Sequence, residues 1–300
     1  MTATLRADQI IFAMSADNPP VLAVDSGAIV RFETCDCFAN QITESGQIPD
    51  GIDWSRINPA TGPVFVNGAE AGDTLAVHIR KIELAAQAVL ATLPGLGVAG
   101  GRLQNGRIDI VPVQGNHAVL FDRVRVPLQP MIGVIGTAPA GEAVSCGIPD
   151  AHGGNMDSKI IAEHTTLYLP VNVAGALLAL GDLHAAMGDG EVGVSGLEIS
   201  GTVEVSVNVI KGRPYPLPLA QTPDMLYTLA SHTDLNQAAE QATLMMHDYL
   251  LVHSTLDANQ SIALQSIAGQ LEICQVVDPQ KTCRFGLPLD ILRQLDALPL

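Results

Sequence analysis

Two short stretches of this chain crowd ionisable side chains against glycines. The first is Pro149-Asp150-Ala151-His152-Gly153-Gly154-Asn155-Met156-Asp157-Ser158-Lys159. The second is Gly181-Asp182-Leu183-His184-Ala185-Ala186-Met187-Gly188-Asp189-Gly190-Glu191. Each carries one imidazole with carboxylates two to seven residues away. That inventory serves a divalent cation held by mixed nitrogen and oxygen donors, or an acid–base pair. The glycines let backbone approach a ligand closely. Donors this far apart in sequence meet only through the fold, and Asp and Gly are also ordinary turn residues. Asp36 is a third candidate, because Glu33-Thr34-Cys35-Asp36-Cys37-Phe38 reads as a strand running out, where a carboxylate is well placed to enter a pocket. His78, His117 and His164 read as structural, and His232, His247 and His253 as surface or packing residues of a helical region.

The elements that must position these groups are mostly strands. Gln9 to Ala13, Val21 to Val24 and Ala28 to Thr34 are short apolar or alternating runs, separated by Asp-Asn-Pro-Pro and Asp-Ser-Gly turns. Leu75, Val77 and Ile79 alternate with Ala76, His78 and Arg80. Val203, Val205, Val207 and Val209 alternate with Glu204, Ser206 and Asn208, which places the valines on one face of a strand. Many short strands with Gly- and Pro-rich turns imply a sandwich or barrel-like body. The apolar run Thr166 to Leu180, between the two glycine-rich segments, is core material. Residues 86 to 107, rich in Ala, Gly and Leu, read as a long connection between strands.

After Pro214, Pro216 and Pro218 the pattern changes, and that cluster reads as a linker. Asp234 caps a predicted helix from Leu235 to about Val252, with Ala238, Ala242, Met245, Met246 and Tyr249 at helical spacing. A second helix is expected from Thr255 or Asp257 to about Ala268. Leu271 to Val277 reads as a strand, and Pro288 opens a last helix. The division expected is a β-rich body over 1–215, in which 86–148 forms an inserted barrel-like subdomain or loops, and a small α+β domain over 220–300.

The chain has 300 residues, 47% hydrophobic and only 4% aromatic, so aliphatic side chains must fill its core. With 15 Lys plus Arg against 31 Asp plus Glu, the net charge is −16. That balance excludes phosphate-neutralising nucleic-acid binding and docking on anionic lipid, and suits a small neutral or cationic ligand. The five cysteines form no disulfide framework or zinc knuckle, which points to a reducing, cytoplasmic compartment. Neither a signal peptide nor a membrane-spanning run is visible in the sequence, so a soluble protein is expected. Cys146, beside the first segment, reads as a buried spectator in preference to a nucleophile.

The run from Pro149 to Asp157, followed by Leu167-Tyr168-Leu169-Pro170-Val171 and by Gly181 to Glu191, resembles the acetamidase/formamidase family. So do Thr34 to Ile42, with Asp36, Asn40 and Gln41, and Asn58-Pro59-Ala60-Thr61-Gly62-Pro63 followed by Gly72-Asp73. The resemblance covers most of the chain and is strongest between 149 and 200. It implies hydrolysis of short-chain amides with release of ammonia by an oligomeric cytosolic enzyme. It implies a mainly β fold: a sandwich-like body with a barrel-like insertion and a small C-terminal α+β piece. It also implies a divalent metal, zinc or calcium, near Asp36, His152, Asp157, His184 and Glu191. The sequence lacks the Gly-Gly-Ser-Ser-Gly-Gly loop of Ser-Ser-Lys amidases and the repeated αββα pattern of nitrilase-type enzymes.

The reading is therefore a metal-assisted amide hydrolase acting on a small neutral amide, as a homo-oligomer. Glu191, His184 and Asp36 are its expected catalytic groups, with Glu191 as general acid/base. His152, Gly153, Gly154 and Asn155 are expected to contact substrate. Asp36, His152, Asp157 and His184 are the expected metal ligands, with zinc favoured by the imidazoles and calcium admitted by the carboxylates. Asp182 ligates or orients an imidazole. The competing reading is a non-catalytic β-sandwich that binds a small molecule around a structural cation.

Overall fold

A computed structural model describes residues 2–47 and 51–299. Two large sheets face each other across one apolar layer. The first has nine strands in the order Ala3–Leu5, Ile29–Thr34, Gly201–Ile210, Thr74–Leu84, Thr166–Pro170, Leu219–Gln221, Met225–His232, Lys281–Pro288 and Gln270–Gln275. Its pairings are antiparallel except that between Ala3–Leu5 and Ile29–Thr34. The alternation read from the valines holds: Val203, Val205 and Val207 are fully buried, while Glu204 and Ser206 are half-buried and Asn208 is exposed. Those valines pack with Phe32, Val77 and Ile79 of their own sheet and with Ile132, Ile135, Leu180 and Leu183 of the second.

The second sheet has eleven strands. Its main path runs Val124–Pro127, His117–Leu120, Arg107–Gln114, Gln87–Thr92, Glu198–Ile199, Leu178–His184, Met131–Gly136 and Gly153–Asn155. Ala60–Asn67 also pairs with Leu178–His184, and joins Ile10–Ile11 and Leu22–Asp25 to it. The segment expected as a barrel-like insertion or loops thus forms successive antiparallel strands that lengthen this sheet. Among the described residues no sheet closes into a barrel. The run expected as a long connection contributes Gln87–Thr92 to the ladder and is irregular only beyond it.

The C-terminal helices cover the outer face of the first sheet. Leu235–His253 starts where Asp234 accepts hydrogen bonds from the backbone N–H groups of Asn236 and Gln237, and it buries Ala238, Ala242, Met246, Tyr249 and Leu250. These pack on Leu226, Ala230, Phe285 and Leu287. Ala258–Ala268 carries a capping box between Asp257 and Gln260. Leu289–Gln294 follows Pro288, as expected. The strand after the prolines, Leu219–Gln221, pairs with Thr166–Pro170, so the C-terminal strands continue the first sheet. No described helix is long and apolar enough to cross a membrane.

Candidate active site

Cross-strand register brings the two glycine-rich segments together. Leu178–His184 is buried along its whole length. One edge pairs with Met131–Gly136, Met131 opposite His184 and Val134 opposite Gly181. The far edge of Met131–Gly136 pairs with Gly153–Asn155, so Val134 also faces Asn155. On its other edge, His184 stands opposite Glu198.

The result is a buried nest of carboxylates around one imidazole. His184 Nε2 lies 3.2 Å from Glu198 Oε2, 3.6 Å from Asp182 Oδ1 and 3.8 Å from Asp157 Oδ1. Glu191 approaches through the loop after His184, and its Oε1 accepts a hydrogen bond of 2.9 Å from the Gly196 N–H. Gly196 also lies flat against His184, where a Cβ would come 2.4 Å from Nδ1. Three of these carboxylates hang from left-handed backbone: Asp157 at φ +40°, Asp182 at φ +54° and Glu191 at φ +44°. Such conformations cost energy outside glycine and collect at functional sites.

Asp157, Asp182, Glu191, Glu198, Asp278 and Asn155 line one end of a cavity of about 180 Å³, with Phe38, Trp54, Leu93 and Leu96 as its apolar wall. His184 sits behind that acidic end. A wider cleft of about 480 Å³ shares Glu191 and Ser195 with the cavity, so Glu191 stands on the partition.

Burial drives the electrostatics. It pushes the Glu191 carboxyl up to about 8 and that of Glu198 to about 7, and raises those of Asp157 and Asp278 well above the usual range. Burial disfavours a charged His184, yet Glu198 and Asp182 outweigh it and raise the imidazole well above its ordinary value.

A divalent cation suits this arrangement. Asp157 Oδ1 and Asp182 Oδ1 are buried without hydrogen-bond partners. Donor atoms of Asp157, His184 and Glu191 lie within 4.8 Å of one another, as do those of Cys37, Asp182 and Glu198. Gly133 leaves the space that these groups occupy, since a Cβ there would stand 2.4 Å from Asp157 Oδ1.

An ion cluster fastens the loop that carries Glu191. Arg284 is 1% exposed and donates to both oxygens of Asp189, at 2.9 and 2.8 Å. Its Nε donates to Glu272 at 2.6 Å, and Lys159 reaches Asp189 at 2.7 Å. The neighbouring Gly190 donates its N–H to the Cys274 carbonyl at 2.8 Å. Asp189 thus anchors the second segment, while Lys159 ties in the first.

The expected site residues divide accordingly. His184, Asp157 and Glu191 come together, and Asn155 lines the same cavity. Asp36 stands apart: its Oδ1 accepts the Asn40 N–H at 2.7 Å, its own N–H donates to Asn40 Oδ1, and it lines a different cleft with Gln87 and Pro112. Its neighbour Cys37 faces the cavity instead. His152 is buried and is not among the lining residues, with burial lowering its pKa. Gly153 and Gly154 are packed against backbone, where a Cβ would lie 2.3 Å from the Ile135 and Ile148 carbonyls respectively. Glu198, Cys37 and Asp278 went unnoticed in the sequence. The one signal for Glu198 was a lone carboxylate inside the apolar run Leu197-Glu198-Ile199.

The model of the acetamidase/formamidase family matches residues 10–147 and 140–294 of this sequence. The chain belongs to the acetamidase/formamidase family. It shares 47% identity with an acetamidase from Bacillus halodurans, covering 97% of this chain and 99% of that one at a TM-score of 0.96. A predicted acetamidase/formamidase from the thermophile Thermoanaerobacter tengcongensis is 46% identical over 100% of this chain and 99% of its own, with a TM-score of 0.98. A Schizosaccharomyces pombe protein provisionally named a formamidase is 25% identical, covering 94% of this chain and 89% of its own length. As a member of the acetamidase/formamidase family the chain is an amide hydrolase.

Proposed function

We propose that this enzyme hydrolyses short linear primary amides to a carboxylate and ammonia in the 180 Å³ cavity, assisted by a divalent cation on Asp157 and His184. The observation that carries this reading is the set of buried carboxylates around His184, facing an apolar wall. An amide resists attack because resonance weakens its carbonyl and the amine leaves poorly. A bound cation would polarise that carbonyl, or acidify a water beside it.

The remaining work falls to the chain. Glu191, held by the Gly196 N–H, takes a proton from the attacking water as the new C–O bond forms, then delivers it to nitrogen as the C–N bond breaks. Asn155 donates its Nδ2 to Asp278 at 3.0 Å, leaving Oδ1 unpartnered to accept from the substrate NH₂. Phe38, Trp54 and Leu93 take the acyl group and exclude bulk water. The five free thiols, all buried, accord with a cytoplasmic setting.

The test is ammonia release from formamide, acetamide and propionamide by wild type and Glu191→Gln. Loss of about 10²–10⁴-fold in kcat with an unchanged melt supports the assignment. Near-normal turnover in the variant removes Glu191 from the mechanism.

A further inference from the structure

Asn155 places a neutral amide among the carboxylates of the cavity. Such a side chain is nearly symmetric in shape, yet it donates from one end and accepts from the other, so its direction decides what it recognises. Its backbone is held in the ladder, where Asn155 pairs with Val134. Its direction is set by Asp278, whose Oδ2 accepts from Nδ2 at 3.0 Å. Asn155 is 3% exposed, and its Oδ1 is buried without a hydrogen-bond partner.

Asp278 comes from the turn between the strands Gln270–Gln275 and Lys281–Pro288, and the fully buried Gln275 braces that turn. Gln275 Oε1 accepts from the N–H groups of Val277 at 2.9 Å and Asp278 at 3.0 Å, while Nε2 donates to the Gln280 carbonyl at 2.6 Å. Lys281 Nζ donates to the Asp278 carbonyl at 3.1 Å. The Val276 N–H donates to the Gly190 carbonyl at 3.1 Å, so the same turn abuts the loop that carries Glu191. A carboxylate held this firmly can hold Asn155 in turn.

We propose that Asp278 is a positioning residue that locks Asn155 with its carbonyl oxygen toward the scissile nitrogen, and that this acceptor makes the enzyme select amides bearing an N–H over esters of the same acid. The proposal deepens the reading of the cavity as an amide-hydrolase site and rests on it. The leaving atom of a primary amide carries hydrogens that Oδ1 can accept. The alkoxy oxygen of an ester carries only lone pairs, and it would confront Oδ1 as one buried acceptor against another. A site built to hydrogen-bond a substrate N–H rejects the analogue lacking it by about 10⁴–10⁵. An Asn155 free to turn would present Nδ2 instead and lose that discrimination.

Acetamide and methyl acetate are the probes, because both release acetate and one assay reads kcat/KM for each. The ratio of the two values, compared between zinc-loaded wild type and variants, cancels differences in leaving-group size and intrinsic reactivity. Wild type should favour acetamide. Asp278→Leu, which offers Nδ2 no acceptor, should lower the ratio by about 10–100-fold, the scale of one oriented hydrogen bond. Asn155→Ala should lower it likewise. Asp278→Asn still offers Nδ2 an oxygen and should keep the ratio within about threefold of wild type. Wild type that favours methyl acetate overturns the proposal and leaves the amide-hydrolase reading in place. An Asp278→Leu enzyme that loses both activities equally, with or without loss of bound zinc, also overturns it. Wild type that hydrolyses no short amide overturns both. If Asp278→Leu fails to fold, the wild-type ratio and Asn155→Ala decide.

Discussion

Adding one methyl group at Gly133 tests whether the carboxylates must stand where they are. Gly133 lies in the wholly buried Met131–Gly136 strand. A Cβ there would be 2.4 Å from Asp157 Oδ1 and 2.9 Å from both the backbone oxygen and Oδ2 of Asp182. Ordinary contact begins near 3.4 Å, so Asp157 must withdraw by about 3.4 − 2.4 = 1.0 Å. A displacement of about 1 Å at a reacting centre costs roughly 100-fold in rate, equivalent to about 2.7 kcal/mol of barrier. Overpacking costs the fold itself about 1–3 kcal/mol. The assay is steady-state ammonia release alongside a thermal melt, with Gly141→Ala as control because no atom lies within 4 Å of a Cβ there. Gly133→Ala should keep a cooperative melt at lower temperature and lose about two decades of kcat. A folded Gly133→Ala protein turning over within about twofold of wild type would refute the claim that Asp157 and Asp182 need their present positions.

Chelation should make stability fall as pH rises from mildly acidic through neutral. In metal-free protein the Glu191 and Glu198 carboxyls stand near 8 and 7, above their unfolded values, so the stability they contribute is present below about pH 4.5 and lost as pH rises through those values. Melts of chelated protein should therefore fall from about pH 5 to pH 8, and added zinc should raise Tm more at pH 8. An equal gain at both pH values counts against this origin. At the acid end, burial alone would raise the Asp189 carboxyl, but Arg284 and Lys159 hold it below 3.8. Its stabilisation is present above that value and lost as pH falls through the lower folded one, so Asp189→Asn should show a shallower Tm decline between about pH 5 and pH 3. Trp54→Ala opens the apolar wall and should raise KM for propionamide more than for formamide, whereas equal effects would place Trp54 outside the acyl subsite. Asp257→Ala removes a capping box and should cost about 1 kcal/mol in urea denaturation with kcat unchanged.

Periodicity and caps were the legible part of this sequence. The Val203–Val209 alternation, the Asp234 and Asp257 caps and Pro288 each act over a few residues, so their consequences are local. The site is a matter of register between strands far apart in the chain. His184 meets Glu198 because one residue of Leu178–His184 stands opposite one residue of a two-residue strand, a relation no spacing reveals. Asp36 shows the same limit at the scale of one residue. The motif identified the right segment, but the turn closed by Asp36 and Asn40 presents the next side chain, Cys37, to the cavity. The outward strands over 87–127 were hidden because Ala, Gly and Leu carry little strand preference and the segment is interrupted by an irregular glycine-rich stretch.

The clasp formed by Arg284 has a consequence for biosynthesis. The groups that work on the amide belong to the middle of the polypeptide, yet the guanidinium fastening their loop arrives on a strand translated long afterwards. A growing chain thus carries Asp157, Asp182, His184, Glu191 and Glu198 while the loop beneath Glu191 is still untethered. The clasp on that loop can close only once the strand Lys281–Pro288 has taken its place in the sheet.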